Sequence, residues 1–270
     1  MRLYDRDYNA ITEEEKQIWE DLKQDEVVWR DGKPTAFKKS LRHKYPRAVR
    51  HFLSLFPNNF IDRIDLLNDR DYHSKILSEL ESLIEDKSIK ERDILSFIHK
   101  EAAYFIIGSI LKNQYMFGHH GLFVFPEFKL APNYQVDYLI VGKNSEGYHF
   151  VFVEFENLYN SITTKDGSYG DTIRKGIKQI EDWDFWLGQN FHHLELIFKN
   201  HKNKRETLPD EFRKYDRTRT HFVVVAGRRN DYAEKTYLLR RKYSEQQKLL
   251  IIHYDNLIDT SRETSITNSY

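Results

Sequence analysis

The segment Val136-Asp137-Tyr138-Leu139-Ile140-Val141, followed by Tyr148-His149-Phe150-Val151-Phe152-Val153-Glu154-Phe155-Glu156, decides the fold. Both runs are rich in β-branched and aromatic residues, which suit the pleated, packed surface of a strand. Between them, Lys143-Asn144-Ser145-Glu146-Gly147 supplies the polar link of a hairpin, so the two strands are neighbours in one sheet. Side chains alternate along a strand, which puts Glu154 and Glu156 on one face and Val153 and Phe155 on the other. Asp137 opens the adjoining strand, and the hairpin lets the three carboxylates converge.

Upstream, Ile94, Phe97, Ile98, Ala102 and Phe105 recur at three- and four-residue spacing, which predicts a helix from Asp93 to about Gln114 with Glu101 on the same face. Leu122 to Leu130 reads as a strand with Pro126 at an edge or a bulge, and Ala131-Pro132-Asn133 turns the chain. Downstream, Asp171 to Gly188 reads as a helix and His221 to Ala226 as a short buried strand ended by Gly227. A basic helix from Ala233 to about Tyr243 leads to a last strand, Leu249 to His253. This order belongs to an α/β domain, a mixed sheet flanked by helices, at 91–270. The charged stretch Glu85 to Arg92 separates it from a smaller, mainly helical region at 1–90.

Composition narrows the chemistry. Among 270 residues, 42 Lys and Arg balance 42 Asp and Glu, so no bulk charge directs the protein to nucleic acid or to a membrane surface. Basic clusters at Lys38 to Lys44, Lys199 to Arg205, Arg213 to Arg219 and Arg228 to Lys242 nevertheless leave nucleic acid open as a partner. The absence of cysteine removes disulfides, thiolate zinc sites and cysteine nucleophiles together. No uncharged apolar run is long enough for a membrane span. Arg2, Asp5, Arg6 and Asp7 interrupt any secretory signal, so a cytoplasmic location is expected. The pairs His119-His120 and His192-His193 are adjacent in sequence and point apart, which disfavours a two-histidine metal site.

Three carboxylates gathered on a sheet face repel one another and lose solvation, so the arrangement is costly unless a proton is shared or a cation is bound. A hard divalent ion is the simplest compensation. All-oxygen donors favour Mg²⁺ or Mn²⁺, which retain waters and contact phosphate.

These residues carry a family resemblance. Glu101, then Glu127, then Val136-Asp137-Tyr138-Leu139, then Val153-Glu154-Phe155-Glu156 resembles the PD-(D/E)XK nuclease core, and Gln179-Ile180-Glu181-Asp182-Trp183 resembles the Q-x-x-x-Y element that follows it. Phe222-Val223-Val224-Val225-Ala226-Gly227-Arg228 and Tyr254-Asp255-Asn256-Leu257 look like landmarks of the Shedu anti-phage nuclease family, over roughly Asp93 to Ile258. The resemblance implies a restriction-endonuclease-like fold, DNA as substrate, a role in phage defence and a homo-oligomer. It makes Asp137, Glu154 and the carbonyl of Phe155 the ligands of Mg²⁺ or Mn²⁺, with Glu101 beside the metal and Gln179 orienting phosphate or a ligand.

One position departs from the pattern. Glu156 stands where the family motif has Lys, as a candidate general base or additional metal contact. Lys165, on the loop downstream, would restore the lost charge by swinging in, or serve as a plain surface lysine. Arg228 and Arg229 would line a phosphate-binding groove, or lie on a solvated basic face. Glu101 alone on an apolar face would pair with a base elsewhere if it is not in the site. The rival to a cutting enzyme is therefore a nuclease-fold module that grips nucleic acid or a protein partner without hydrolysis.

Overall fold

A computed structural model describes residues 2–38, 41, 44 and 47–270. Of the basic cluster Lys38 to Lys44, positions 39, 40, 42 and 43 lie outside the described residues. The N-terminal part contains α1 (Glu13–Asp25), the hairpin β1 (Val27–Arg30) and β2 (Lys33–Lys38), α2 (Arg47–Phe52), α3 (Arg63–Asn68) and α4 (Arg70–Ile84). Next come α5 (Glu91–Lys100), α6 (Phe105–Gly108), β3 (Gly121–Ala131), β4 (Tyr134–Asn144) and β5 (Gly147–Phe155). The chain ends with α7 (Asp171–Asn190), α8 (Leu194–His201), β6 (Thr220–Val225), α9 (Glu234–Gln247), β7 (Leu249–Ile252) and α10 (Tyr254–Thr267).

Strands β3 to β7 form one mixed sheet in sequence order, antiparallel from β3 to β5 and parallel from β5 to β7. Alternation sorts their side chains into two cores. Val151, Val153, Phe155, Val223 and Val225 face α4, α5, α6 and α10. Phe150, Phe152, Phe222 and Val224 face α7 and α8. The mixed α/β sheet with flanking helices thus follows from strands that are apolar on both faces, as burial on both sides requires.

The N-terminal part is built into this body. Phe60 bridges Phe123, and the Ile61 N–H donates to the Leu122 carbonyl at 2.9 Å, so the chain covers part of the β3 edge. Ile76, Leu77, Leu80 and Ile84 of α4 enter the same core as Ile94 and Ile98 of α5, and the elements on either side of Glu85 to Arg92 share apolar packing.

The helix expected from Asp93 to Gln114 is two pieces bent by 116°. Ala102 takes a left-handed conformation (φ 49°), while the N–H groups of Ala102 and Ala103 return to the carbonyls of His99 and Ile98. This double return closes α5 at Glu101. No single described helix is long and apolar enough to cross a membrane.

Helix α7 lies close to the end of the sheet because residue 176 has no side chain. A Cβ placed on Gly176 would meet Val224 Cγ1 at 2.9 Å and Glu156 Cγ at 3.2 Å. Gly176→Val is therefore expected to destabilise the protein by about 1–3 kcal/mol through overpacking, read as a lowered urea midpoint at unchanged m-value. An unchanged midpoint would show that α7 does not depend on this close approach.

Candidate functional site

Tyr138 pairs with Val153 and Leu139 with Phe152, and one further step of the register sets Asp137 opposite Glu154. Both side chains leave the sheet on the side that α7 covers, since Leu139 and Phe152 belong to that core. Opposed residues in an antiparallel pair hold their Cβ atoms ~5 Å apart. Asp137 Oδ2 accepts a hydrogen bond from the Phe155 N–H at 2.7 Å, which pins the aspartate beside the glutamate.

Glu156 follows directly as the chain leaves β5. Its N–H donates to the Val225 carbonyl at 2.8 Å, and its own carbonyl accepts from the Tyr254 hydroxyl at 2.8 Å. Its carboxylate, 1% exposed, receives Lys175 Nζ at 3.0 and 2.9 Å. Lys175 and Gln179 are one helical turn apart on α7 and share a face, with Gly176 beside Lys175 making room for the Glu156 stem.

Burial dominates the electrostatics. It pushes Glu154 up to about 9, with the charges of Asp137 and Glu156 adding to the rise while Lys175 and a hydrogen bond from Gln179 oppose it. Burial likewise lifts Asp137 to about 6, against the Phe155 N–H and with support from Glu156 and Glu91. Glu156 is also raised by burial, and Lys175 works the other way. Lys175 loses some solvation, yet its bond to Glu156 and the fields of Glu156, Glu154 and Glu91 hold it more firmly protonated.

Asp137, Glu154, Glu156 and Gln179 are thus brought together. Glu101 is not. It ends α5, its carboxylate stands 3.6 Å from Lys100 Nζ, and its carbonyl accepts from the Tyr72 hydroxyl. The acid that α5 contributes is Glu91, whose charge acts on Asp137, Glu156, Lys175 and Tyr254. Glu101 lies ten residues further along that helix, ~15 Å at 1.5 Å per residue. Phe155 acts on Asp137 through its N–H.

The expected cations also redistribute. Lys165 is exposed on the 163–169 loop, and the lysine that reaches the acids is Lys175. Arg228 is engaged within the protein by Asp255, Glu85, the Ile84 carbonyl and the Tyr159 hydroxyl. Arg229 is half-exposed and paired with Asp259. Two residues missed in the sequence, Glu91 and Lys175, carried weak signals. Glu91 opens a helix with an acidic first turn, and Lys175 precedes Gln179 by four residues.

Among the described residues no group of three or more His, Asp or Glu side chains is arranged to hold a metal ion. The donor set is Asp137, half-buried, and Glu154, buried, whose carboxyls are both pushed up mainly by lost solvation, with the charge of Asp137 adding to the rise of Glu154. That set fits Mg²⁺ or Mn²⁺, which take one or two carboxylates and keep waters and phosphate oxygens for the rest. A divalent charge is also what would allow Glu154 to ionise at neutral pH.

No curated protein matches the chain. The family model described as Shedu protein SduA, C-terminal, matches residues 88–258, a span that includes Glu91, Asp137, Glu154, Glu156, Lys175 and Gln179. With well over half of its length matched, the chain belongs to the Shedu family, and this span is an anti-phage defence nuclease-like domain.

Proposed function

We propose that the protein is a divalent-metal-dependent endonuclease that hydrolyses DNA phosphodiester bonds in defence against phage. The observation that carries this reading is the acidic pair Asp137 and Glu154 beside an anchored, solvent-facing Lys175, whose side chain is 63% exposed. When bound by the two carboxylates, Mg²⁺ or Mn²⁺ supplies Lewis acidity to the scissile phosphate. Lys175 presents a fixed positive charge toward the solvent side, where a phosphodiester enters and negative charge grows during attack. Glu156 holds that ammonium in place and takes no proton from water while so engaged. Gln179 orients Glu154 through its hydrogen bond. The lysine absent from position 156 is thereby supplied from α7, which favours the cutting enzyme over the non-cutting module.

Asp137→Asn and Glu154→Gln are each expected to lower plasmid nicking in Mg²⁺ or Mn²⁺ by at least about a hundredfold. Calorimetric Mn²⁺ binding should be lost with it. A parent that binds plasmid but never nicks it would instead identify the non-cutting module.

Lys175→Ala should reduce nicking by about a hundredfold with little change in DNA affinity, because one phosphate-facing charge is removed at the reacting centre. Unchanged turnover would remove Lys175 from the mechanism.

The metal-free protein should also report Glu154 through its stability. A carboxyl whose pKa rises on folding, here from the usual 4.5 to about 9, binds its proton more tightly in the folded state. Stability is then greatest at low pH and falls as pH climbs through that window, by up to about 1.4 kcal/mol per pH unit. Urea unfolding between pH 6 and 8.5 should show this slope in chelator, and both saturating Mg²⁺ and Glu154→Gln should flatten it. A flat profile in chelator would contradict a protonated Glu154.

A further inference from the structure

We infer that Arg228 is a positioning residue for the acidic cluster, holding the first turn of α5 on one side and Tyr254 on the other. Its guanidinium is used on every edge. Nε lies 3.2 Å from both Asp255 oxygens, and Nη2 donates to Asp255 Oδ1 at 2.9 Å and to Glu85 Oε1 at 2.8 Å. Nη1 donates at 2.8 Å to the Ile84 carbonyl and at 2.8 Å to the Tyr159 hydroxyl, which itself donates to the Ile84 carbonyl. Only 17% of the side chain remains exposed.

Two routes run from this clasp to the acids. On the first, the Ile84 carbonyl is one of the final carbonyls of α4, which have no partner within the helix, and Arg228 caps it. The chain then makes a tight turn, with the Ile89 N–H on the Asp86 carbonyl at 3.1 Å and the Ser88 N–H on Asp86 Oδ1 at 2.8 Å. Helix α5 begins at Glu91 immediately afterwards. Fixing the end of α4 therefore fixes where Glu91 stands relative to Asp137 and Glu156.

On the second route, Asp255 is also held by the Arg229 N–H at 2.7 Å, and its neighbour Tyr254 donates its own N–H to the Gly227 carbonyl at 3.0 Å. The buried Tyr254 hydroxyl reaches the Glu156 carbonyl. Arg228 thus seats Tyr254, and Tyr254 seats the residue that anchors Lys175. The Gly-Arg and Tyr-Asp segments, far apart in sequence, are two halves of one clasp.

The geometry stands by itself, and its consequence for turnover rests on the nuclease reading. The test compares the full-length parent with Arg228→Ala, Arg228→Lys and Asp255→Asn by amide hydrogen exchange and nicking kinetics. In Arg228→Ala the amides of 91–95 and 253–257 should exchange faster while those of 139–153 in the sheet keep the parent rate. Turnover should fall by about 10–100-fold, the range for residues that support a reacting group, with KM for DNA within about twofold. Lysine carries the charge without the fork and should restore exchange protection and turnover only in part. Unchanged exchange at 91–95 in both Arg228→Ala and Asp255→Asn would overturn the inference. A raised KM with turnover kept would also overturn it, making Arg228 a direct DNA contact. If the parent does not nick DNA, the nuclease reading fails alone, because the exchange comparison decides the clasp without turnover.

Discussion

The structure turns on an electrostatic conflict: Asp137 and Glu154 stand side by side across a strand pair where α7 limits their solvation, and lost solvation is the larger part of the cost. Isolated buried carboxylates are expensive, and a fold keeps them together only where something of opposite charge meets them. Lys175 meets part of that demand through Glu156. The remainder falls on Glu154, whose carboxyl is pushed up to about 9, mainly by burial. On the proposed reading, a divalent ion bound there would relieve an electrostatic cost that folding has already imposed.

The surrounding architecture serves that conflict. The sheet is apolar on both faces, so its strands are fixed by packing, and the acids sit where β4 and β5 lose their pairing. The glycine at 176 brings α7 near enough for Lys175 and Gln179 to reach both glutamates. From the opposite core, Tyr254 supports the main chain at Glu156 and α5 supplies Glu91. One helix layer delivers the positive charge, and the other sets the backbone that receives it.

Much of this was legible in the sequence. The strands showed themselves because β-branched and aromatic residues run unbroken through 150–153, and the acids at 154 and 156 stood out by replacing core positions. Their convergence with Asp137 followed from the hairpin. Glu101 misled because periodicity continued through Ala102, whereas a left-handed residue with two returning hydrogen bonds ends the helix there. Lys175 escaped because an irregular connection, 157–170, separates Glu156 from α7, so no spacing ties them. Arg228 read as part of a basic run, since its partners at 84, 85 and 255 share no local pattern with it. Helix α10 had little apolar signal, being buried partly through Ser261, Thr264 and Ser265. The hairpin of β1 and β2 was missed in a region read as mainly helical; its turn is Asp31-Gly32, whose positive φ angles of 50° and 72° suit a two-residue connection.

The most direct measurement is anomalous diffraction from crystals of the protein grown with Mn²⁺. A manganese peak is expected between the carboxylates of Asp137 and Glu154, with Lys175 still bonded to Glu156. A peak that avoids both residues, or those carboxylates without metal at a concentration that supports nicking, would contradict this expectation.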